Sequence, residues 1–358
     1  MVRNRLGVEM ENRSLPAMLA PSDPSSWQVC RAALLDALAS GVYGRMPPAP
    51  AGLSWAEGKR TEGICDGKGT RTEYHITVPT PGGRFTFPFQ LELPTGPAPV
   101  PVFIHLSFHA ETPDPSCPAQ MLLSRGYGVA SLAYGAIAPD RADGLDELLP
   151  GLFGASERDE SGSGTIGYWS WAAQRVMDCL AVLPGVDSSR IAVIGHSRLG
   201  KTALWCGATD ERFNLVISVQ SGCSGAAVTR GKVGERVAHI TGNFPHWFCP
   251  RYATYASREA AMPFDQHFLL AAIAPRLLYV CSAQDDQWAD PDSEYLGCAA
   301  ASPAWERLGK TGFVAPDLFP SQDAFFADGC VGYHLRPGGH ALQPDDWARM
   351  MDFWDRHR

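Results

Sequence analysis

The stretch IAVIGHSRLGKTALW, from Ile191 to Trp205, contains residue types that could form a reactive nucleophile. An apolar, β-branched run predicts a strand that ends at Gly195, and the residues after Ser197 could begin a helix. A tight turn between a strand and a helix exposes a serine hydroxyl, and the free N–H groups of the helix N-terminus face a developing oxyanion. Ser197 is therefore a candidate nucleophile, although a serine in this position can also be a simple helix N-cap.

The spacing of the glycines departs from the usual G-x-S-x-G pattern of such turns. Leu199 occupies the second place after the serine, and Gly200 follows one place later. The motif alone therefore leaves both roles of Ser197 open.

A serine hydrolase with this kind of turn needs a carboxylate and then a histidine later in the chain. His340 follows a strand-like run and a Pro-Gly-Gly loop in YHLRPGGHALQ. The earlier loop AQDDQWADP contains Asp285, Asp286 and Asp290. We expect Asp286 to orient His340 and to stabilise its cationic form, with Asp290 as the alternative.

The strands and helices predicted around these residues are those of an α/β protein. Six apolar runs predict strands that are buried on both faces, as in a mostly parallel, doubly wound sheet between helices. These runs cover residues 100–108, 127–134, 190–196, 214–220, 276–282 and 331–338. Helix-like segments lie between or after them at 168–183, 201–208 and 344–357.

The N-terminal part has a different pattern. Residues 70–96 alternate polar and apolar side chains around Pro-Gly-Gly, which predicts an antiparallel hairpin that extends the same sheet. We therefore expect a single catalytic domain over residues 26–358, preceded by a tail or surface arm over residues 1–25.

The composition disfavours several classes of partner. The chain has 358 residues, of which 45% are hydrophobic, so it can bury a sizeable core. A formal net charge of -8 argues against nucleic acid and anionic membrane surfaces as partners. The first 25 residues lack the apolar core of a secretion signal, and no segment approaches the ~20 apolar residues of a membrane span.

The cysteines and histidines give no sign of a metal site. Ten cysteines occur without paired or zinc-type spacing, which favours a reducing, cytoplasmic setting. His105 and His109 are four residues apart, but no third ligand with suitable spacing accompanies them. We therefore predict no metal and no other cofactor.

Several motifs, in order, resemble carbohydrate esterase family 15, the glucuronoyl esterases, and most of all its bacterial branch. The motifs are GVDSSRIAVIGHSRLGKTALWCGATDERF, SGCSGAA, PFDQHFLLAAIAPRLL, DDQW and GYHLRPGGH, and the resemblance runs from about residue 95 to the end. It implies an α/β-hydrolase fold, a three-layer sandwich, with Ser197 as the nucleophile. The displaced glycine is then a trait of the family.

The resemblance also implies roles for residues around the nucleophile. Arg198 matches an arginine that helps to hold the oxyanion, and such a permanently charged group suits that task. Lys201 matches a lysine that binds hydroxyls of the glucuronate ring, and Trp288 matches a tryptophan that lines the same pocket. A second oxyanion donor is expected from a backbone N–H near Phe108.

Two departures from the fungal pattern concern the acid and the sugar. Fungal members carry the triad acid as a glutamate where this chain has Gln220, so the acid must come from the later loop. We instead expect Gln220 to be a substrate-binding residue. A fungal glutamate that contacts the sugar aligns with Gly242, and Glu235, His246 and Trp247 are candidates to replace it.

A further departure concerns a disulfide. Fungal members bond a cysteine before the serine to a cysteine just after the histidine, and this chain has His196 and Gln343 in those places. Both partners are absent together, which fits the reducing setting.

Together these features predict a serine carboxylic ester hydrolase that acts on glucuronoyl esters, such as methyl or aryl esters of 4-O-methylglucuronoyl units from xylan. Its partner would be a small-molecule or oligosaccharide ester. The first alternative is a carbohydrate acetyl esterase of the xylan type, and the second is a non-catalytic carbohydrate-binding homologue, suggested by Gln220. Comparison of glucuronate and acetate esters would separate the first two.

Overall fold

A computed structural model describes residues 5–18, 26–111, 113–145 and 159–358. Within these ranges the strands form one ten-stranded mixed sheet. The strands are β1 (Ser54–Gly63), β2 (Gly69–Thr80), β3 (Gly83–Pro94), β4 (Val100–Ser107), β5 (Gly128–Ala133), β6 (Val186–His196), β7 (Leu215–Val219), β8 (Leu277–Ala283), β9 (Phe325–Phe326) and β10 (Val331–Arg336). Their order across the sheet is β1-β2-β3-β5-β4-β6-β7-β8-β10-β9.

The centre of the sheet is parallel, as the apolar runs predicted. The pairs β5–β4, β4–β6, β6–β7, β7–β8 and β8–β10 all run parallel. Each of the six predicted strands is present, and β6 begins at Val186, four residues before the predicted start.

The predicted hairpin of residues 70–96 corresponds to β2 and β3, which pair antiparallel. β3 in turn pairs antiparallel with β5, so the hairpin extends the same sheet as expected. β1 adds an outer edge strand that was not predicted. Its sequence SWAEGKRTEG is mostly polar, charged or glycine and its side chains are almost all exposed, so it lacks the apolar alternation that marks a half-buried strand.

The helices cover both faces of the sheet. They are α1 (Leu6–Asn12), α2 (Trp27–Leu38), α3 (Ala119–Ser124), α4 (Thr165–Leu180), α5 (Arg198–Thr209), α6 (Val237–Asn243), α7 (His267–Ala271), α8 (Pro291–Ala301), α9 (Pro303–Arg307) and α10 (Pro344–Arg356). None of these helices is long and apolar enough to cross a membrane.

Two separate cores lie on the two faces. Successive residues of a strand point to opposite faces, and in β6 Ile191 and Val193 belong to one core, whereas Ala192 and Ile194 belong to the other. The first core contains buried side chains of α2, α4, α5, α7 and α8, and the second contains those of α3 and α10. The result is the expected three-layer α/β sandwich.

Part of the predicted N-terminal arm is docked on this sandwich. α1 buries Leu6 and lies against α8. Arg13 Nη1 donates to Ser293 Oγ at 2.6 Å, and His267 Nε2 lies 3.0 Å from the carbonyl oxygen of Pro16. Residues 1–4 and 19–25 of the arm lie outside the described ranges.

Candidate active site

The candidate site lies where the carboxyl ends of neighbouring parallel strands meet, which is the usual place for a site in an open α/β sheet. Ser197 follows β6, and Gln220 follows β7. The loop that contains Asp286 follows β8, and the loop that contains His340 follows β10. The topology thus brings together residues that are far apart in the sequence.

Ser197 occupies a strained turn between β6 and α5. Its φ and ψ are 59° and -124°, a region that residues other than glycine rarely adopt. A helix N-cap has extended dihedrals and accepts a hydrogen bond with its side chain, and Ser197 does neither. Its geometry is that of a nucleophile turn rather than of a cap.

The neighbouring glycines are required by this turn. A Cβ on Gly195 would lie 2.0 Å from the carbonyl oxygen of Leu199. A Cβ on Gly200 would lie 3.0 Å from the Cβ of Ser221. Because the turn closes on Gly195 and Gly200, the second glycine is needed three places after the serine, and Leu199 can be a fully buried core residue.

His340 and Asp286 are in direct contact. His340 Nδ1 lies 2.6 Å from Asp286 Oδ2, and the backbone N–H of Ala289 donates to the other carboxylate oxygen at 3.2 Å. Burial would raise the pKa of Asp286, but the hydrogen bond and charge of His340 hold that pKa below its ordinary value. The carboxylate therefore stays ionised and can orient the imidazole.

Asp290, the alternative acid, has a different position. It is the N-cap of α8, where its carboxylate accepts from the backbone N–H of Ser293 at 3.1 Å and from the Ser293 hydroxyl at 2.5 Å. It also accepts from the backbone N–H of Val233 at 2.8 Å. Asp285 is exposed, so Asp286 is the one acid of this loop that meets His340.

Arg336 holds the loop that carries His340. Its guanidinium donates to the backbone carbonyls of Pro337 at 2.7 Å, Gly339 at 2.8 Å and Ala341 at 2.5 Å. These carbonyls lie on both sides of the histidine, so a single buried side chain sets the path of the loop.

Asp346 balances the charge of Arg336 at the start of α10. It accepts from Arg336 Nε at 3.2 Å, from the backbone N–H of Gln343 at 2.8 Å and from His334 Nε2 at 2.8 Å. Cys281 joins this group, and its thiol, His334 and Asp346 have potential ligand atoms within 4.8 Å of one another. Since all three are buried and Asp346 is shared with an arginine, the cluster is a charge-balanced support for the loop.

Gln220, an expected substrate-binding residue, lies against the histidine loop. Gln220 is only 1% exposed, and its Oε1 accepts from the backbone N–H of Ala341 at 2.9 Å. The same oxygen lies 3.2 Å from His196 Nε2. Gln220 therefore supports the histidine loop, because its amide oxygen hydrogen-bonds the backbone of that loop inside the protein.

Arg198 is held in a cage of rings and one carboxylate. Its guanidinium carbon lies 4.7 Å from the ring centre of Trp247, 5.6 Å from that of Phe244 and 5.7 Å from that of Phe108. Its Nη1 donates to Asp140 Oδ2. Contact with aromatic faces and an ion pair both stabilise a cation, so the side chain is fixed beside the serine turn.

Asp140 is a site residue that sequence reasoning missed. It also accepts from Trp247 Nε1 at 2.6 Å, His246 Nε2 at 2.8 Å and the Tyr134 hydroxyl at 3.2 Å. Burial would raise its pKa, but hydrogen bonds from His246 and Trp247 and the Arg198 charge hold that pKa well below the ordinary value. Asp140 lies 58 residues from Arg198 in the sequence, and no motif in APDRADG signals the contact.

The expected sugar-contacting residues lie close together. Lys201 is 4% exposed and donates to the carbonyl oxygen of Ser221 at 2.6 Å. Burial lowers the pKa of Lys201, and the charge of Glu235 opposes that shift. Trp288 is 54% exposed, its ring lies 5.4 Å from that of His239, and its carbonyl accepts from the Glu235 N–H at 3.0 Å.

His105 and His109 lie in different environments. His105 is 1% exposed and lies 3.5 Å from the carboxylate of Asp114, whereas His109 is exposed.

Comparison with known proteins identifies the family. The family model described as glucuronyl esterase of fungi matches residues 76–309, which is more than half of the chain. The chain belongs to the glucuronoyl esterase family, carbohydrate esterase family 15. This membership confirms the resemblance.

Solved structures confirm the α/β-hydrolase fold. A glucuronoyl esterase from Solibacter usitatus is 36% identical, with a TM-score of 0.88 over 95% of this chain and 97% of that chain. A family 15 esterase described as promiscuous, from a marine bacterial metagenome, is 30% identical, with a TM-score of 0.85 over 96% of this chain and 98% of that chain.

A curated carbohydrate esterase from an unknown prokaryotic organism is 40% identical over 246 residues. The match covers 66% of this chain and 54% of that protein, so the chain spans about half the length of this relative.

A second missed feature of this glucuronoyl esterase family member is a buried carboxyl beneath the site. Glu294 accepts from the backbone N–H of Gly222 at 2.8 Å and from the Ser282 hydroxyl at 2.6 Å. Burial raises its pKa to about 7, although these hydrogen bonds oppose the shift. Glu294 thus links the ends of β7 and β8, from which the acid loop departs.

His196, directly before the candidate nucleophile, packs on the candidate base. Its ring centre lies 4.5 Å from that of His340. Burial, followed by the charge of His340, lowers the pKa of His196 from 6.5 to about 4. His196 is therefore neutral near pH 7 and adds no positive charge beside His340.

Replacement of His196 should change how stability depends on pH. Because the pKa of His196 is lower in the folded state, the unfolded chain takes up this proton first as pH falls below about 6.5. Its contribution is present above pH 6.5 and is lost as pH falls toward about 4. We expect the Tm of the wild type to fall more steeply between pH 7 and pH 4 than that of His196→Asn.

The measurement is thermal unfolding at a series of pH values. His109→Asn serves as the control, because His109 is an exposed histidine and the variant should keep the wild-type slope. Equal slopes for the wild type and His196→Asn would show that the buried imidazole does not carry this effect.

Proposed function

We propose that this chain is a serine-dependent glucuronoyl esterase that hydrolyses esters of 4-O-methylglucuronic acid, including methyl and aryl esters. The observation that carries the proposal is the 2.6 Å contact between His340 Nδ1 and Asp286 Oδ2, next to the strained turn at Ser197. Membership of the glucuronoyl esterase family supports the ester class.

The first half of the reaction would form an acyl-enzyme. Asp286 holds Nδ1 of His340, which leaves Nε2 to take the proton from the Ser197 hydroxyl. The serine oxygen then bonds to the ester carbonyl carbon, and the negative charge on the carbonyl oxygen is stabilised by Arg198 and backbone N–H groups. The ester C–O bond breaks, and the alcohol leaves with the proton from His340.

In the second half, water attacks the acyl-enzyme that formed when the alcohol left. His340 takes a proton from a water molecule, whose oxygen attacks the acyl carbon. The bond to the Ser197 oxygen then breaks and the serine regains its proton from His340. The products are the glucuronic acid and the free enzyme, and no cofactor takes part.

The surroundings of the site suit a charged, hydroxyl-rich substrate. Lys201 and Glu235 are 4% and 8% exposed and could hydrogen-bond sugar hydroxyls at the base of the site. Trp288 exposes more than half of its surface and offers an aromatic face to the C–H groups of a sugar ring. Trp247 and His246 are anchored on Asp140 and could form the opposite wall.

A comparison of ester types tests the proposed function. We expect Ser197-dependent hydrolysis of benzyl or methyl 4-O-methylglucuronate, and much slower hydrolysis of 4-nitrophenyl acetate and of an acetylated xylo-oligosaccharide. The measurement is the initial rate on each ester at matched concentration, with Ser197→Ala as the control.

Activity on the acetates alone would overturn the glucuronate assignment and favour a carbohydrate acetyl esterase. The promiscuous family 15 esterase makes the acetates a necessary part of the panel. Binding of glucuronate with no hydrolysis of any ester would favour a non-catalytic carbohydrate-binding protein.

A second test separates the two candidate acids. Asp286→Asn should lower kcat by about 10³- to 10⁴-fold, because the amide cannot stabilise the imidazolium by charge. Asp290→Asn keeps one oxygen to cap α8 but loses the second carboxylate oxygen, which accepts from the Val233 N–H and the Ser293 hydroxyl, and it should mainly lower stability, by about 1 kcal/mol. The measurements are kcat and Tm of each variant, and the opposite ranking of the kcat losses would move the acid to Asp290.

We also propose that the enzyme works in a reducing, cytoplasmic compartment. Support comes from buried thiols such as Cys117, Cys206 and Cys298, which form no disulfide, and from the absence of cysteine at positions 196 and 343. Fractionation of native cells tests this proposal, and recovery of the esterase outside the cytoplasm would overturn it.

A further inference from the structure

Both oxygens of the Asp140 carboxylate accept hydrogen bonds from neighbouring side chains. Oδ1 accepts from His246 Nε2 at 2.8 Å and from Trp247 Nε1 at 2.6 Å. Oδ2 accepts from the Tyr134 hydroxyl at 3.2 Å and from the Arg198 guanidinium. Each oxygen therefore has two donors, and the group is committed to holding other side chains rather than to proton transfer.

We propose that Asp140 is a positioning residue that fixes the Arg198 guanidinium for stabilisation of the oxyanion, and that the same carboxylate anchors Trp247 against it. The inference rests on the proposed serine esterase mechanism, in which Arg198 acts on the transition state. It assigns a function to a loop that follows β5 and that no sequence motif marks.

The physical argument begins with the freedom of an arginine side chain. An unrestrained arginine has many rotamers, and holding it in one of them costs conformational entropy. In this chain Asp140 and the rings of Trp247, Phe244 and Phe108 restrain Arg198 before a substrate binds. A positive group that is already in place stabilises developing negative charge without reorganisation.

Charge balance gives a second reason. The Arg198 side chain is 28% exposed and that of Asp140 is 11% exposed, so neither is fully hydrated. An unpaired charge in such a place is costly, and its usual response is to turn toward water. Loss of the Asp140 charge should therefore release Arg198 from the cage.

The first experiment compares Asp140→Asn with wild type. The amide keeps the shape of the carboxylate and removes its charge. We expect kcat for the best ester in the panel to fall about 10- to 100-fold, as expected when a transition-state group is misplaced by about 1 Å, with KM changed less than about threefold. Asp143→Asn is the matched control, because Asp143 lies in the same loop in an exposed ion pair with Arg141 and should leave kcat unchanged.

A double-mutant cycle distinguishes positioning from a general structural effect. If Asp140 acts through Arg198, Asp140→Asn should cause almost no further loss of kcat in an Arg198→Ala background. Multiplication of the two losses would overturn the proposal. If Asp140→Asn does not fold, as judged by circular dichroism and Tm, the cycle is carried out with Asp140→Glu, which keeps the buried charge but displaces it.

A readout that does not depend on the sugar separates this proposal from the substrate assignment. A fluorophosphonate probe forms a bond between phosphorus and the Ser197 oxygen with loss of fluoride, and intact-protein mass spectrometry follows the rate. Slower labelling of Asp140→Asn than of Asp143→Asn supports the proposal even if no glucuronate ester is hydrolysed. Equal labelling rates, or no labelling of Ser197 in the wild type, would overturn it.

Discussion

The strained backbone at Ser197 is the constraint on which the rest of the site depends. A residue with a side chain at φ of 59° is stable only when its surroundings fix it from several sides. β6 is buried at the centre of the sheet, the Ser197 N–H donates to the carbonyl of Val219 on β7, and Gly195 allows the start of α5 to close over the strand. The burial of apolar side chains on both faces of the sheet therefore offsets the conformational strain of this turn.

A second set of interactions brings the histidine to this turn. Arg336 binds three carbonyls of the histidine loop, and Gln220 accepts the N–H of Ala341. Asp346 balances the arginine and also caps α10, so the end of the last parallel strand, the loop and the last helix form one hydrogen-bonded unit. Where fungal relatives are expected to use a disulfide, this chain holds the same region with an ion pair and an amide.

The fold and the catalytic candidates could be predicted because they leave local patterns. Six apolar runs corresponded to the parallel strands within about four residues, and Ser197, Asp286 and His340 each followed such a run, in an order that the fold restricts. β1 was missed because an exposed, charged edge strand has no apolar alternation. Asp140, Glu294 and the inward position of Gln220 were missed because each has a partner that is 58 to 121 residues away, and such contacts leave no trace in local spacing.

The exchange of a carboxylate for Gln220 is consistent with the charges around the imidazole. A carboxylate acid is already present in Asp286, and it lies 2.6 Å from His340. An amide at position 220 can still accept the Ala341 N–H, which is the contact that holds the loop. A second carboxylate there would place another buried negative charge near Asp286, at a further cost in desolvation. Because Asp286 already contacts the imidazole, the acid can lie in the loop after β8 while the amide at position 220 keeps its support of the histidine loop.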